Sequence, residues 1–118
     1  MRAKDAVGRH GEQVAVRHLS ERGWQVLDRN WRGEDGELDV VALDGDTLVV
    51  VEVKTRRGEG FGHPAEAVTG RKLRRLRRLA GQWLSEHELR PRQVRVDVVA
   101  VTLPRRGAAR LEHLEGVV

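Results

Sequence analysis

The chain has 118 residues, of which 39% are hydrophobic and 34% charged, with 13 Gly and only 3 Pro. This composition fits one globular domain over residues 1–118 and excludes disordered and collagen-like classes. There is no cysteine, which excludes a disulfide scaffold, thiol catalysis and cysteine-ligated zinc or iron–sulfur clusters. The net charge of +4, with Arg dominating the 22 basic residues, leans toward a phosphate-bearing partner.

Met1 to His10 is charged with no apolar run behind it, and the longest apolar runs, such as Leu48 to Val51, are far too short to cross a bilayer. A cytoplasmic location and no membrane partner are expected.

In chain order, Gly8 to Arg22 is expected to be a helix, with Val14, Ala15 and Leu19 at helical spacing and Gly23 ending it. Trp24 to Arg29 is a short strand and Asn30 to Gly36 a polar loop. Glu37 to Leu43 and Thr47 to Lys54 are strands joined by the turn signal Asp44-Gly45-Asp46, so they pair as an antiparallel hairpin. Thr55 to His63 is a loop with glycines at 58, 60 and 62. Pro64 suits the first turn of a helix running to about Glu88, with Leu73, Leu76, Leu79, Ala80, Trp83 and Leu84 as its apolar stripe. Val94 to Val101 is a strand and Arg110 to Leu114 a short last one. The order α-β-β-β-α-β(-β) predicts an α/β fold with a mixed sheet flanked by helices, because a helix between two strands permits a parallel crossover.

The charge is unevenly placed. Glu12 to Val53 holds ten acidic and four basic residues, whereas Lys54 to Arg78 holds nine basic and two acidic. Carboxylates for a cation followed by a basic surface for phosphate produce this order, although solvated faces also do.

Centring the hairpin turn on Gly45 and Asp46 makes residues i and 91−i partners, which puts Asp39 across from Glu52. Glu52 and Lys54 then share a strand face, and Val53 points toward packing. Paired carboxylates call for a cation or a proton, and Mg²⁺ is the natural choice for carboxylate oxygens and waters, with Mn²⁺ as a substitute. A lysine beside them can orient or deprotonate a water or stabilise charge on a phosphate. An exposed strand rim explains the same residues without chemistry.

Gly36-Glu37-Leu38-Asp39 and Glu52-Val53-Lys54 resemble the D…ExK signature of the PD-(D/E)XK nuclease superfamily, which has the restriction-endonuclease-like fold. The wider set of Gly11-Glu12, Arg29-Asn30, Val51-Glu52-Val53-Lys54-Thr55-Arg56, Phe61-Gly62-His63-Pro64, Lys72 and Arg95-Val96-Asp97 resembles the YraN-like (UPF0102) family, over roughly residues 8–101. That family is similar to archaeal Holliday junction resolvases. The resemblance implies Asp39, Glu52 and the Val53 carbonyl as Mg²⁺ ligands. It places Glu12 as a ligand through water or to a second metal, and Lys54 beside the attacking water. Leu38 stands where the superfamily name has proline. Glu37, at the strand start, is read as a rim residue.

Arg71, Lys72, Arg74, Arg75 and Arg78 lie in a stretch with six basic residues in eight, expected to bind phosphate from a helix face. Arg56 and Arg57 follow the site and could hold neighbouring phosphates. Lys72 is the strongest single candidate for a phosphate contact or site support. The five histidines show no zinc spacing and read as surface or capping residues. Trp24 and Trp83 read as core, Trp31 and Phe61 as anchors, and Arg95 with Asp97 as a pair on one strand face.

The leading expectation is a Mg²⁺-dependent nuclease acting on DNA, including branched DNA, and working as a homodimer joined through its C-terminal strand or its valine-rich edges. Two other readings stay open: a nucleic-acid-binding accessory protein without cleavage, and an interaction protein on a nuclease-derived scaffold.

Overall fold

A computed structural model describes residues 5–58 and 62–117. The elements are α1 (Ala6–Glu21), β1 (Gln25–Arg32), β2 (Glu37–Asp44), β3 (Thr47–Arg57), a short 3-10 helix (Pro64–Ala67), α2 (Gly70–Ser85), β4 (Gln93–Leu103) and β5 (Arg110–Leu114). The five strands form one sheet in the order β1-β2-β3-β4-β5. β3 and β4 are parallel and the other neighbours antiparallel. This is the expected mixed α/β architecture. No helix among the described residues is long and apolar enough to cross a membrane.

The two helices cover opposite faces of the sheet. Ala15 and Leu19 of α1 pack with Trp24, Val40, Ala42, Val49, Val51, Val99 and Val101. Leu76, Leu79, Ala80 and Trp83 of α2 pack with Leu38, Val41, Leu48, Val50 and Val96. Burial on both faces is why β3 and β4 read as near-continuous valine runs rather than as alternating strands. Each such side chain contributes on the order of 1.5–3 kcal/mol when removed from water.

Local chemistry sets the element ends. Asp5 caps α1 by accepting the Gly8 N–H at 2.8 Å, and Gly23 takes φ +85° after its last turn. Gly45 at φ +62° turns the hairpin, whose pairs from Val40↔Val51 to Asp44↔Thr47 all follow the expected i, 91−i register.

Four expectations are corrected. β3 does not stop at Lys54, because β4 pairs with it as far as Arg57↔Leu103; Thr55, Arg56 and Arg57 are strand, not loop. β1 runs on through Asn30 to Arg32, with Asn30 at φ 52°, a left-handed geometry that asparagine tolerates, and with Trp31 packed toward α2. The single helix expected from Pro64 to about Glu88 is two: Val68 is extended (φ −123°, ψ 107°), and α2 starts anew behind its own cap, Thr69, and ends at Ser85. The valine-rich strands are central, so the sheet edges open to a second copy are β1 and β5. Gly60 and Phe61 lie outside the described residues.

Candidate functional site

The site forms where β2 and β3 separate, between the two helical layers. The ladder pairs run out at Val40↔Val51, one step before Asp39 and Glu52. Leu38 packs toward α2 while Val40 and Ala42 pack toward α1, so strand alternation breaks at Asp39. In place of a ladder bond, Asp39 Oδ2 accepts the Val53 N–H at 2.9 Å. The carboxylate thereby bridges the two strands, and Asp39 is only 6% exposed.

Glu12 comes to the site from α1, and the approach depends on Gly11. A Cβ added at Gly11 would lie 2.8 Å from Thr55 Cβ and closer still to its Oγ1. Only glycine lets the helix backbone sit this near β3. Glu12 follows it directly and is 2% exposed, with Oε1 at 4.0 Å from the Arg29 guanidinium of β1.

Lys72 comes from α2. Thr69 Oγ1 accepts the Lys72 N–H at 3.2 Å, which sets the first turn of the helix. From there the Lys72 ammonium reaches Glu52 Oε2 as an ion pair between helix and strand. The Glu52 side chain is 12% exposed. Val53 turns its side chain toward the α1 cluster, as expected.

A cleft of about 370 Å³ brings these residues together: Glu12, Asp39, Glu52, Val53, Lys54 and Lys72 all line it, as does Asp5. A second opening of about 170 Å³ shares Asp39, Glu52 and Lys72 and adds Gly36, Glu37, Arg75 and Leu76. Glu37 is therefore part of the wall rather than a plain rim residue. Sequence reasoning also passed over Asp5, although an Asp just before a helix start is the usual capping signal.

The expected phosphate-binding residues are not all placed at the site. Lys72 and Arg75 face the openings. Arg71 and Arg74 lie exposed on α2, and Arg78 pairs with Asp35 at 2.9 Å. Arg56 donates to the Gly62 carbonyl at 2.9 Å. Arg57 lines a separate hollow with Gly58, Leu103, Pro104 and Arg105, away from the carboxylates.

Among the described residues, no group of three or more His, Asp or Glu side chains is placed to hold a metal ion. The donor set still fits Mg²⁺, which keeps several waters and commonly uses one or two carboxylates. Asp39 and Glu52 are two such carboxylates on one cleft, with Glu12 a third within the same walls.

A second polar cluster lies toward the start of β4, on the α1 side of the sheet. Asp97 is fully buried and accepts from Arg95 Nε at 2.9 Å, from the Gly116 N–H at 3.0 Å, and bonds His113 Nε2 at 2.8 Å. His113 Nδ1 continues the chain to His18 Nε2 at 2.9 Å. Burial pushes the Asp97 carboxyl up, but the His113, Arg95 and Gly116 hydrogen bonds outweigh it and hold it below the usual range. Burial, with His113 and Arg22 beside it, lowers the His18 pKa. The Arg95–Asp97 pair was legible in the strand spacing. The two histidines were not, because they lie 95 positions apart and meet only when β5 docks beside α1. His63, by contrast, is a capping residue as expected and accepts the Ala65 N–H.

The model of the uncharacterised protein family UPF0102 matches residues 11–101. A UPF0102 protein of Beutenbergia cavernae is 64% identical over 117 residues, covering 99% of both chains. One from Kineococcus radiotolerans is 62% identical over 99% of this chain and 97% of its own. UPF0102 protein SCO5602 of Streptomyces coelicolor is 56% identical over 99% of this chain and 92% of its own. With the family pattern spanning Gly11 to Val101, and relatives this similar over nearly their full length, the chain belongs to the UPF0102 family.

Proposed function

We propose that this protein is a Mg²⁺-dependent nuclease that hydrolyses DNA phosphodiester bonds, with branched DNA among its substrates. The observation that carries this reading is the convergence of Glu12, Asp39, Glu52 and Lys54, from three separate elements, on one cleft flanked by Lys72 and the basic face of α2. Asp39, Glu52 and the Val53 carbonyl would hold the ion, with Glu12 acting through water. When bound, Mg²⁺ supplies Lewis-acid stabilisation of the phosphate and a more acidic water. Lys54 orients the attacking water and stabilises charge as it develops on phosphorus-bound oxygen. Arg75, and the exposed Arg71 and Arg74, hold the flanking phosphates and so keep the scissile bond in line.

A second reading is an accessory DNA-binding protein without cleavage. The Lys72–Glu52 pair favours it, because that carboxylate already has a cationic partner inside the fold. Cleavage assays on linear, flapped and four-way DNA decide between the two, with Mg²⁺, Mn²⁺ or EDTA and with wild type, Asp39→Ala, Glu52→Ala and Lys54→Ala. Metal-dependent cutting lost in all three variants supports the nuclease. DNA binding without cutting supports the accessory protein. Cutting that survives the substitutions comes from a contaminant and removes the basis for the mechanism.

A further inference from the structure

We propose that Lys72 is an internal stand-in for the metal: it occupies Glu52 in the metal-free protein and gives up that carboxylate, turning to phosphate, when a divalent cation binds. The inference rests on the Mg²⁺ reading above and adds to it a residue that couples metal and DNA.

Position supports it first. Asp39, Glu52 and Lys72 are shared by the two openings, so Lys72 borders both. Its ammonium sits on one of the two carboxylates that would ligate the ion. The pair is partly shielded, with side-chain exposures of 32% for Lys72 and 12% for Glu52, so solvent screens it less than a surface pair.

Charge supports it next. A divalent ion on Asp39 and Glu52 would bring two positive charges against the ammonium that sits on Glu52. The ammonium is the group able to move. The Lys72 backbone is held by the Thr69 cap, whereas its four-carbon stem is flexible. Turned outward, it meets Arg75 one helical turn on, which lines the second opening. Two cations at that spacing repel, and a phosphate between them removes the repulsion. Metal binding therefore presents a two-cation phosphate clamp, and DNA that holds Lys72 outward raises metal affinity in return, as linkage requires.

The test is a Mn²⁺ titration of wild type, Lys72→Met, Lys72→Arg and Asp39→Asn, read by electron paramagnetic resonance, which is blind to cleavage. Losing the competing ammonium should tighten Mn²⁺ about tenfold in Lys72→Met, while Lys72→Arg stays near wild type and Asp39→Asn weakens it. Equal affinity in wild type and Lys72→Met overturns the stand-in and leaves the metal site intact. No Mn²⁺ bound by any variant overturns both this inference and the Mg²⁺ reading. A readout on unmodified protein guards against a variant that fails to fold: the side-chain ¹⁵Nζ resonance of Lys72 should shift on Mg²⁺ addition. An unmoved resonance in protein that has taken up Mg²⁺ overturns the proposal.

Discussion

Gly11 of α1 and Thr55 of β3 are in such close approach that any side chain at position 11 would overlap the threonine. This contact sets how far the helix stands from the sheet, and thereby where Glu12 enters the cleft. Thr55 is short and branched, so it cannot swing clear. Gly11→Ala should cost about 1–3 kcal/mol through overpacking. Thr55→Ala in the same chain should recover part of the loss, because it removes Oγ1 and Cγ2. Urea unfolding of the two single variants and the double variant measures the coupling. Additive losses would show that the contact does not set the spacing.

Asp39 bridges β2 and β3, and under the proposed function it would also hold the metal ion; substitution can separate the two. Its Oδ2 accepts the Val53 N–H, which an asparagine oxygen can also do. Asp39→Ala leaves that N–H without its acceptor and should cost about 1–3 kcal/mol more than Asp39→Asn. If the proposed function holds, both variants should lose Mg²⁺-dependent cleavage. Thermal unfolding beside the cleavage assay checks the pair, and equal stability of the two variants would refute the bridging role.

The Asp97 cluster predicts a pH response. Asp97 has a folded-state pKa below its unfolded value, so its contribution is present above the unfolded pKa, about 4, and is lost as pH falls through the lower folded value. His18 also has a lowered pKa; below 6.5 the unfolded chain takes up the proton first, so stability falls until the folded pKa is passed. Urea midpoints should therefore drop below about pH 6.5 and again below about pH 4. His18→Gln should flatten the first drop only. Asp97→Asn should cost about 1–3 kcal/mol at pH 7, since it removes the buried charge that His113 and Arg95 bond, while Arg95 keeps Asp44 and Glu115.

The basic residues should differ in their effect on DNA binding. Arg75 faces the second opening, whereas Arg78 is held by Asp35 and Arg57 lies in a separate hollow. Arg75→Ala should weaken DNA binding and lower the slope of log K against log salt by about 1. Arg78→Ala and Arg57→Ala should change it less. Fluorescence anisotropy over a salt series ranks them, and a uniform loss would mean a diffuse electrostatic surface instead of a directed clamp.

What could be read without the structure was local or followed from short-range pairing. The Asp44-Gly45-Asp46 turn determined the β2–β3 register, because a two-residue turn leaves one pairing. The expected direct pairing of Asp39 with Glu52 is not part of that ladder, which ends at Val40↔Val51; the bond from the Val53 N–H to Asp39 holds the strands there instead, and both carboxylates line one cleft. The spacing of Ala15 and Leu19, and of Leu76, Leu79 and Trp83, marked the faces that the two helices bury.

What depended on partners distant in the chain became visible only in the assembled fold. Thr55 to Arg57 carry turn-prone neighbours, yet they extend β3 because β4 supplies a parallel ladder to bond with. The break at Val68 left Lys72 in the first turn of a new helix, within reach of Glu52. His18 and His113 have no local pattern at all, and a buried Asp97 brings them into one chain. Short-range periodicity reports which face a residue buries, whereas hydrogen bonds and ion pairs between side chains depend on where the layers finally dock. The sequence by itself determined the carboxylates and their strands. Only the tertiary structure decided that Lys72 stands on Glu52, because that pairing needs α2 and β3 packed together.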